Sequence, residues 1–290
     1  MSQWPKPTTR NGSAFGVGAV VGVLGGLIGL GGAEFRLPVL VGWFRFPLLP
    51  AIVVNLLVSL VTVVVSLGFR AQTQGIAPLL HQWPVALNIL AGSMLGSYVG
   101  VHFATRVSER ALAAAVAVAV VLALLGLLLI GHEWLFTHDP LALAPVLRIV
   151  LGFLAGLVIG IVSSLLGVAG GELIIPTLVL LFGLDIKLAG SVSLMISIPT
   201  VSIGVLRYRT RPVFREVQAE RRFMLFMALG SVLGAWIGSR MLPYAPSAVL
   251  QIFLGAILLI SAAKMARSKL HGNYKRKKPA QAENSREGEN

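Results

Sequence analysis

The chain has 290 residues, 56% of them hydrophobic and 12% charged, with a formal net charge of +13 and a mean hydropathy of +0.85. A soluble domain of that composition would expose large apolar patches and aggregate, so a water-soluble fold is excluded. The absence of cysteine rules out disulfides and thiolate metal sites.

Long apolar segments are expected near 13–31, 48–69, 84–105, 109–131, 146–168, 187–206, 222–241 and 247–266. Each approaches or reaches the length a bilayer core requires. Two shorter ones, near 33–46 and 171–184, are too short for an ordinary span. Each is therefore a re-entrant half-helix or a crossing completed by unwound chain. Met1 to Arg10 is polar and lacks the pattern of a cleavable leader. The stretch after Lys264 is charged and has nothing to bury, as a disordered extension would. The expected fold class is an all-α polytopic membrane protein.

The segment Gly29–Pro38, GLGGAEFRLP, recurs as GVAGGELIIP at Gly167–Pro176. The same offset carries Gly92, Gly96 and Gly100 onto Gly230, Gly234 and Gly238, and Asn55, Ser59 and Thr62 onto Ser193, Ser197 and Thr200. One ungapped shift across so much chain means an internal duplication. The expected organisation is a cytoplasmic N-terminal segment at 1–13, a first membrane repeat at 14–131, an external loop at 132–145, a second repeat at 146–266 and a basic cytoplasmic tail at 267–290.

Loop charges bear on how the halves are related. The loop after Arg70 carries no Lys or Arg until past Trp83, while its repeat holds Arg207, Arg209, Arg211, Arg215, Arg221 and Arg222. Arg106 and Arg110 make a basic connection, and the repeated stretch Pro243–Ser247 has none. Equivalent loops with opposite charge bias belong on opposite sides. An inverted five-plus-five arrangement, with both termini cytoplasmic and the short segments completing crossings, satisfies the bias better than eight spans. The basic clusters at Arg207–Arg222 and Lys264–Lys278 then meet lipid head groups, and nucleic acid is not an expected partner.

Glu34 and Glu172 are the leading candidates for chemistry, because a carboxylate in an apolar stretch normally faces a cavity, a partner or an ion path. Each is a candidate proton carrier, and each could equally cap a helix N-terminus beside glycines that leave N–H groups free. Gly31, Gly32, Gly170 and Gly171 favour an unwound break whose N–H groups can face an anion. Pro38 and Pro176 add kinks or early-turn positions. Arg36, opposite Ile174 in the repeat, could neutralise Glu34 or attract an anionic substrate. A snorkelling arginine at the membrane interface is the preferred reading of it. Asn55, Ser59, Thr62 and Ser66 fall on one helical face, repeated by Ser193, Ser197 and Thr200. Such stripes suit a substrate path or interhelical hydrogen bonding, and two matching ones favour the path. The five histidines show no metal-ligand spacing, and no Walker, HExxH or Ser-His-Asp pattern is present. No metal or other cofactor is expected, and no enzyme.

The paired motifs GLGGAEFRLPVL and GVAGGELIIPTLVLLFG, the polar helix after each, and the GSxLG segments at Gly92 and Gly230 resemble the sulfite exporter TauE/SafE family, over roughly Ala14 to Ala266. The resemblance implies a secondary transporter in the bacterial cytoplasmic membrane for sulfite, sulfonates or related organic anions, without a bound cofactor. Family members usually carry glycine or an apolar residue where this chain has Glu34 and Glu172, which suggests a subgroup. The expected function is alternating-access transport of a small, sulfur-containing anion, with Glu34, Glu172, Gly31, Gly32, Gly170, Gly171, Arg36, Asn55, Ser59, Ser193 and Ser197 binding substrate or coupling its movement. An anion channel is the alternative, and a lipid-handling protein or scaffold the rival from another class.

Overall fold

The computed structural model describes residues 10–104, 144–166 and 170–260, which form helices and connecting turns. The expected segment 109–131, most of the inter-repeat loop, Arg106, Arg110, Gly167 and the C-terminal tail lie outside the described residues.

In chain order the helices are α1 (Arg10–Ile28), α2 (Ala33–Gly42), α3 (Leu48–Gln74), α4 (Ala77–His81), α5 (Trp83–Ala104), α6 (Pro145–Leu166), α7 (Gly171–Phe182), α8 (Ile186–Arg209), α9 (Pro212–Gln218), α10 (Arg221–Met241) and α11 (Ser247–Ile260). A 3-10 turn, Leu242–Tyr244, joins the last two. Among the described residues, five helical stretches are long and apolar enough to cross a membrane, starting at Asn11, Leu48, Pro145, Ile186 and Arg221. Val146, Ile149, Leu154, Leu225, Leu229 and Leu233 point outward with substantial exposure, the face a lipid-solvated protein presents. The chain is a multi-pass membrane protein.

The two short helices have the same construction. Gly32 and Gly170 are the N-cap residues, both left-handed, at φ 73° and 78°. An L side chain there costs about 1–2 kcal/mol, so glycine fits the turn. Their carbonyls accept the N–H groups of Arg36 (3.3 Å) and Ile174 (3.0 Å), one repeat apart. Pro38 and Pro176 lie inside the helices, and each lacks the N–H that would bond the carbonyl of Glu34 or Glu172 four residues back. At 1.5 Å per residue, α2 and α7 are about 15–18 Å long, half the hydrocarbon thickness. α2 stops sooner than the apolar run suggests, because Trp43 and Phe44 turn back onto the Val39 carbonyl and Pro47 follows.

Glycines set the closest helix contacts. A methyl group on Gly18, Gly22 or Gly26 of α1 would strike the backbone at Met227, Ser231 or Ala235 of α10, in rising order, so α1 and α10 run parallel. Gly92 and Gly96 of α5 meet Phe153 and Leu157 of α6 in the same way. Each long glycine helix therefore packs on a helix from the other half of the chain. This is the close backbone packing that small residues allow in membranes.

Two apolar clusters mark the two ends of the helix layer. At the near end, Ala14, Leu40, Val53, Tyr208, Val217 and Met227 pack together. At the far end, Leu30, Leu79, Ile89, Leu178, Ile186 and Leu242 do so.

Candidate functional site

The duplicated motifs meet. A methyl group on Gly171 would lie 2.9 Å from the Leu30 carbonyl oxygen and 3.0 Å from the Leu30 Cα, while one on Gly29 would collide with the Gly190 backbone. Ser193 of α8 donates to the Gly29 carbonyl at 3.2 Å. The first break, with Gly29, Gly31 and Gly32 all at positive φ, is thus held against the start of α7 and the polar face of α8.

Beside this junction lies Arg36, with no exposed surface. Its Nη1 donates to Ser59 Oγ at 2.8 Å and Asn55 Oδ1 at 3.5 Å, and its Nη2 to Thr62 Oγ1 at 3.2 Å and Ser231 Oγ at 3.4 Å. Every one of these partners is neutral. Asn55 is fixed in turn by donating to the Ala33 carbonyl at 3.0 Å, and Thr62 by donating to the Val58 carbonyl at 2.8 Å. The snorkelling expectation for Arg36 is corrected: its guanidinium turns inward onto the polar face of α3. The stem carries it there because Arg36 sits one turn into α2 on the side packed against α3.

Glu34 does not neutralise it by hydrogen bonding. Both Glu34 carboxylate oxygens are shut off from the surface without a partner among the described residues, and so are Arg36 Nε and Glu172 Oε1. Glu34 lies within electrostatic range of both Arg36 and Glu172. Gly32 and Gly170, as the N-cap residues, bring no side chain of their own to cap these helices. Both glutamates still occupy the first turn of their helices, where the helix dipole favours negative charge.

The two polar stripes have different fates. On α3, Asn55, Ser59 and Thr62 hold Arg36, and Ser66, one turn on, is fully buried with its hydroxyl unpartnered among the described residues. A buried hydroxyl without a partner costs about 1–3 kcal/mol. On α8, Ser193 bonds the first break, Thr200 shares a 3.0 Å contact with Ser93 of α5, and Ser197 is buried. The α8 stripe makes bonds to neighbouring segments, and the α3 stripe surrounds a charge.

Arg70 escaped the sequence reading, where it marked the end of an apolar segment. The helix continues to Gln74, and Arg70 is fully buried. Its Nη1 donates to the carbonyls of Gly26 and Leu27 at 2.9 Å each, its Nη2 to the Lys187 carbonyl, and its Nε to Ser191 Oγ at 2.8 Å. Ser191 also donates to Gln74 Oε1 at 2.7 Å. The signal was available: Arg70 extends the spacing 55, 59, 62, 66 by four more residues.

A family model described as Sulfite exporter TauE/SafE matches residues 2–129 and 151–287. The chain belongs to the sulfite exporter TauE/SafE family. The two matched TauE/SafE segments fall on the two halves that carry the duplicated motif. This is a family of membrane transporters and not of enzymes, so a TauE/SafE protein moves its substrate and leaves it chemically unchanged. No curated protein and no solved structure matches the chain. Among the described residues, no group of three or more His, Asp or Glu side chains is placed to hold a metal ion.

Proposed function

We propose that the chain is a secondary transporter of a small sulfur-containing oxyanion, of the sulfite or sulfonate class, and that Arg36 binds it. The observation that carries this reading is a fully buried guanidinium whose hydrogen-bond partners among the described residues are all neutral oxygens, beside the junction of the two motifs. Glu34 is within electrostatic range of Arg36 but makes no hydrogen bond to it among the described residues, so the guanidinium's N–H groups are left to neutral oxygens that a passing anion can replace as a charged acceptor. Arg36 Nε and the Ser59 and Ser231 hydroxyls are the groups placed to reach it.

The frame is two inverted five-pass repeats, at about 14–131 and 146–266, working by alternating access. α1 pairs parallel with α10 and α5 with α6, a relation that inverted and non-inverted repeats share, so inversion rests on the direction of one pair against the other. Ala14 of α1 packs at the near end and Ala86 and Ile89 of α5 at the far end, so the two pairs run in opposite directions. The near end carries the exposed Arg45, Arg209, Arg211, Arg215, Arg221 and Arg222 and is read as cytoplasmic, in the bacterial cytoplasmic membrane. Glu34 and Glu172, one from each repeat and within electrostatic range of each other, are the proposed proton carriers.

The test is thermal stabilisation of purified protein by sulfite, thiosulfate, sulfonates and carboxylates, followed by uptake in proteoliposomes. Selective stabilisation by sulfur oxyanions with saturable, exchange-competent uptake is expected. No stabilisation by any of these anions overturns the reading, and non-saturating flux without exchange makes the protein a channel.

A further inference from the structure

Three helix ends converge on Arg70. Its guanidinium bonds the last turn of α1 at Gly26 and Leu27, the first two turns of α8 at Lys187 and Ser191, and it belongs to the last turns of α3. The position lies at the far end, beyond the Arg36 site. Between the two arginines is Ser66, fully buried and without a hydrogen-bond partner among the described residues. Along α3, Thr62, Ser66 and Arg70 follow at one-turn intervals, so Ser66 is about 6 Å from each and the arginines' footholds on α3 are about 12 Å apart.

We propose that Ser66 and Arg70 form a second oxyanion station at the far mouth of the path, opened when the anion takes the Arg70 guanidinium from the carbonyls that hold it. The inference rests on the transport reading given above. The bonds from the Arg70 guanidinium to neutral carbonyls are assisted by one charge, whereas an oxyanion brings the opposite charge and can accept two N–H groups side by side. An anion leaving Arg36 meets the free Ser66 hydroxyl first, as a donor. At Arg70 it competes with Gly26, Leu27 and Lys187, whose release unfastens α1 from α8. The bonds of Arg70 thus close the path in the absence of substrate and yield to it in its presence. The station has no twin at the near end, because the position repeated from Arg70 is Tyr208, packed in an apolar cluster, and that from Ser66 is Gly204.

The chain contains no cysteine, so Ser66→Cys provides a single labelling site without background. Labelling by a membrane-impermeant maleimide from the far side is measured with and without sulfoacetate, a sulfonate that does not consume maleimide as sulfite does. In the Ser66→Cys protein, labelling without anion is expected to be slow and sulfoacetate to accelerate it. Adding Arg70→Gln is expected to raise the anion-free rate about tenfold, the effect of losing one charged hydrogen bond, and to remove the response to sulfoacetate. Should that variant not fold, Ser191→Ala withdraws the Nε partner, keeps the charge and is expected to raise the rate in the same direction. An anion-free rate unmoved by Arg70→Gln or Ser191→Ala overturns the proposal. So does a raised rate that sulfoacetate never reproduces in the Ser66→Cys protein, which leaves Arg70 as a static staple. If none of the sulfur oxyanions stabilises the unmutated protein, the transport reading itself has failed, an outcome distinct from either of these.

Discussion

Replacing Arg36 with glutamine separates substrate binding from stability. The substitution removes the only charge among Asn55, Ser59, Thr62 and Ser231 while keeping a polar side chain. A charge-assisted hydrogen bond contributes about 1.5–3 kcal/mol, and a charge pair at about 4 Å in a medium of effective dielectric 20 about 4 kcal/mol. A loss of about 2–4 kcal/mol of anion binding corresponds to a roughly 30- to 1,000-fold rise in Kd. Stability responds differently. Unpartnered hydroxyls at Ser59 and Ser231 cost about 1–3 kcal/mol each, and removing a buried cation returns a desolvation penalty of similar size. The melting temperature without ligand is therefore expected to move by only a few degrees, in either direction. Thermal titration of detergent-purified protein with sulfite reads both quantities in one experiment. Arg36→Lys, which keeps the charge and loses the fork, is expected to fall between the two proteins. A glutamine variant that binds sulfite within about threefold of the parent, against the tenfold that 1.4 kcal/mol brings, refutes the assignment.

Glu34→Gln and Glu172→Gln are each expected to abolish the acceleration of uptake by an imposed proton gradient in proteoliposomes; unchanged pH-driven uptake removes the proton role. Gly22→Ala places a methyl group against the Ser231 carbonyl and is expected to destabilise by about 1–3 kcal/mol, whereas Gly68→Ala enters open space and is expected to stabilise by up to about 1 kcal/mol. Equal melting temperatures for those two variants would contradict the packing. The Ser93→Ala and Thr200→Val pair is expected to show a coupling near 0.6 kcal/mol in a double-mutant cycle, the size found for interhelical hydrogen bonds in membranes. Strict additivity would mean the contact carries no energy. Gly204→Cys, at the position repeated from Ser66, meets only Leu56 methyl groups at 3.7 Å. Without anion it is expected to label faster from the near side than Ser66→Cys does from the far side, and equal rates would refute a closure confined to the far end.

Much of the fold was legible because hydropathy and glycine spacing report local structure. The long segments at 48–69 and 187–206 became α3 and α8, a few residues longer at one or both ends, since a helix outlasts the apolar run when its terminal polar groups have partners. The short helices were marked by glycine and proline, whose backbone limits act within a few residues. What the sequence could not convey was depth and pairing. Arg36 follows Glu34 by two residues and reads as an interface side chain until Asn55 and Ser59 are placed beside it. A repeat states which residues are equivalent and not which ones touch, so the bond from Ser193 to Gly29 and that from Arg36 to Ser231 were invisible. Arg70 was hidden for the opposite reason: its charge lowers local hydropathy and so signals the end of a span, although its spacing continues the polar face of α3.

The backbone is close to symmetric and its charges are not. Gly32 and Gly170 adopt the same turn, Pro38 and Pro176 occupy the same helical position, and the glycine faces pair in the same sense. Arg36 and Arg70, by contrast, face Ile174 and Tyr208 in the repeat. On the proposed reading, the first half binds the anion and the second supplies surfaces that close around it, through Ser231 at one arginine and Lys187 and Ser191 at the other. Two inverted repeats of identical sequence would make the inward- and outward-open states equal in energy. On the same reading, having Arg36 and Arg70, the buried cations among the described residues, in one half would remove that equality, because the bonds of Arg70 would stabilise closure at the far end with Tyr208 at the repeated position. A bias of that kind determines which side the empty protein faces, and an ion gradient has to work against it or with it.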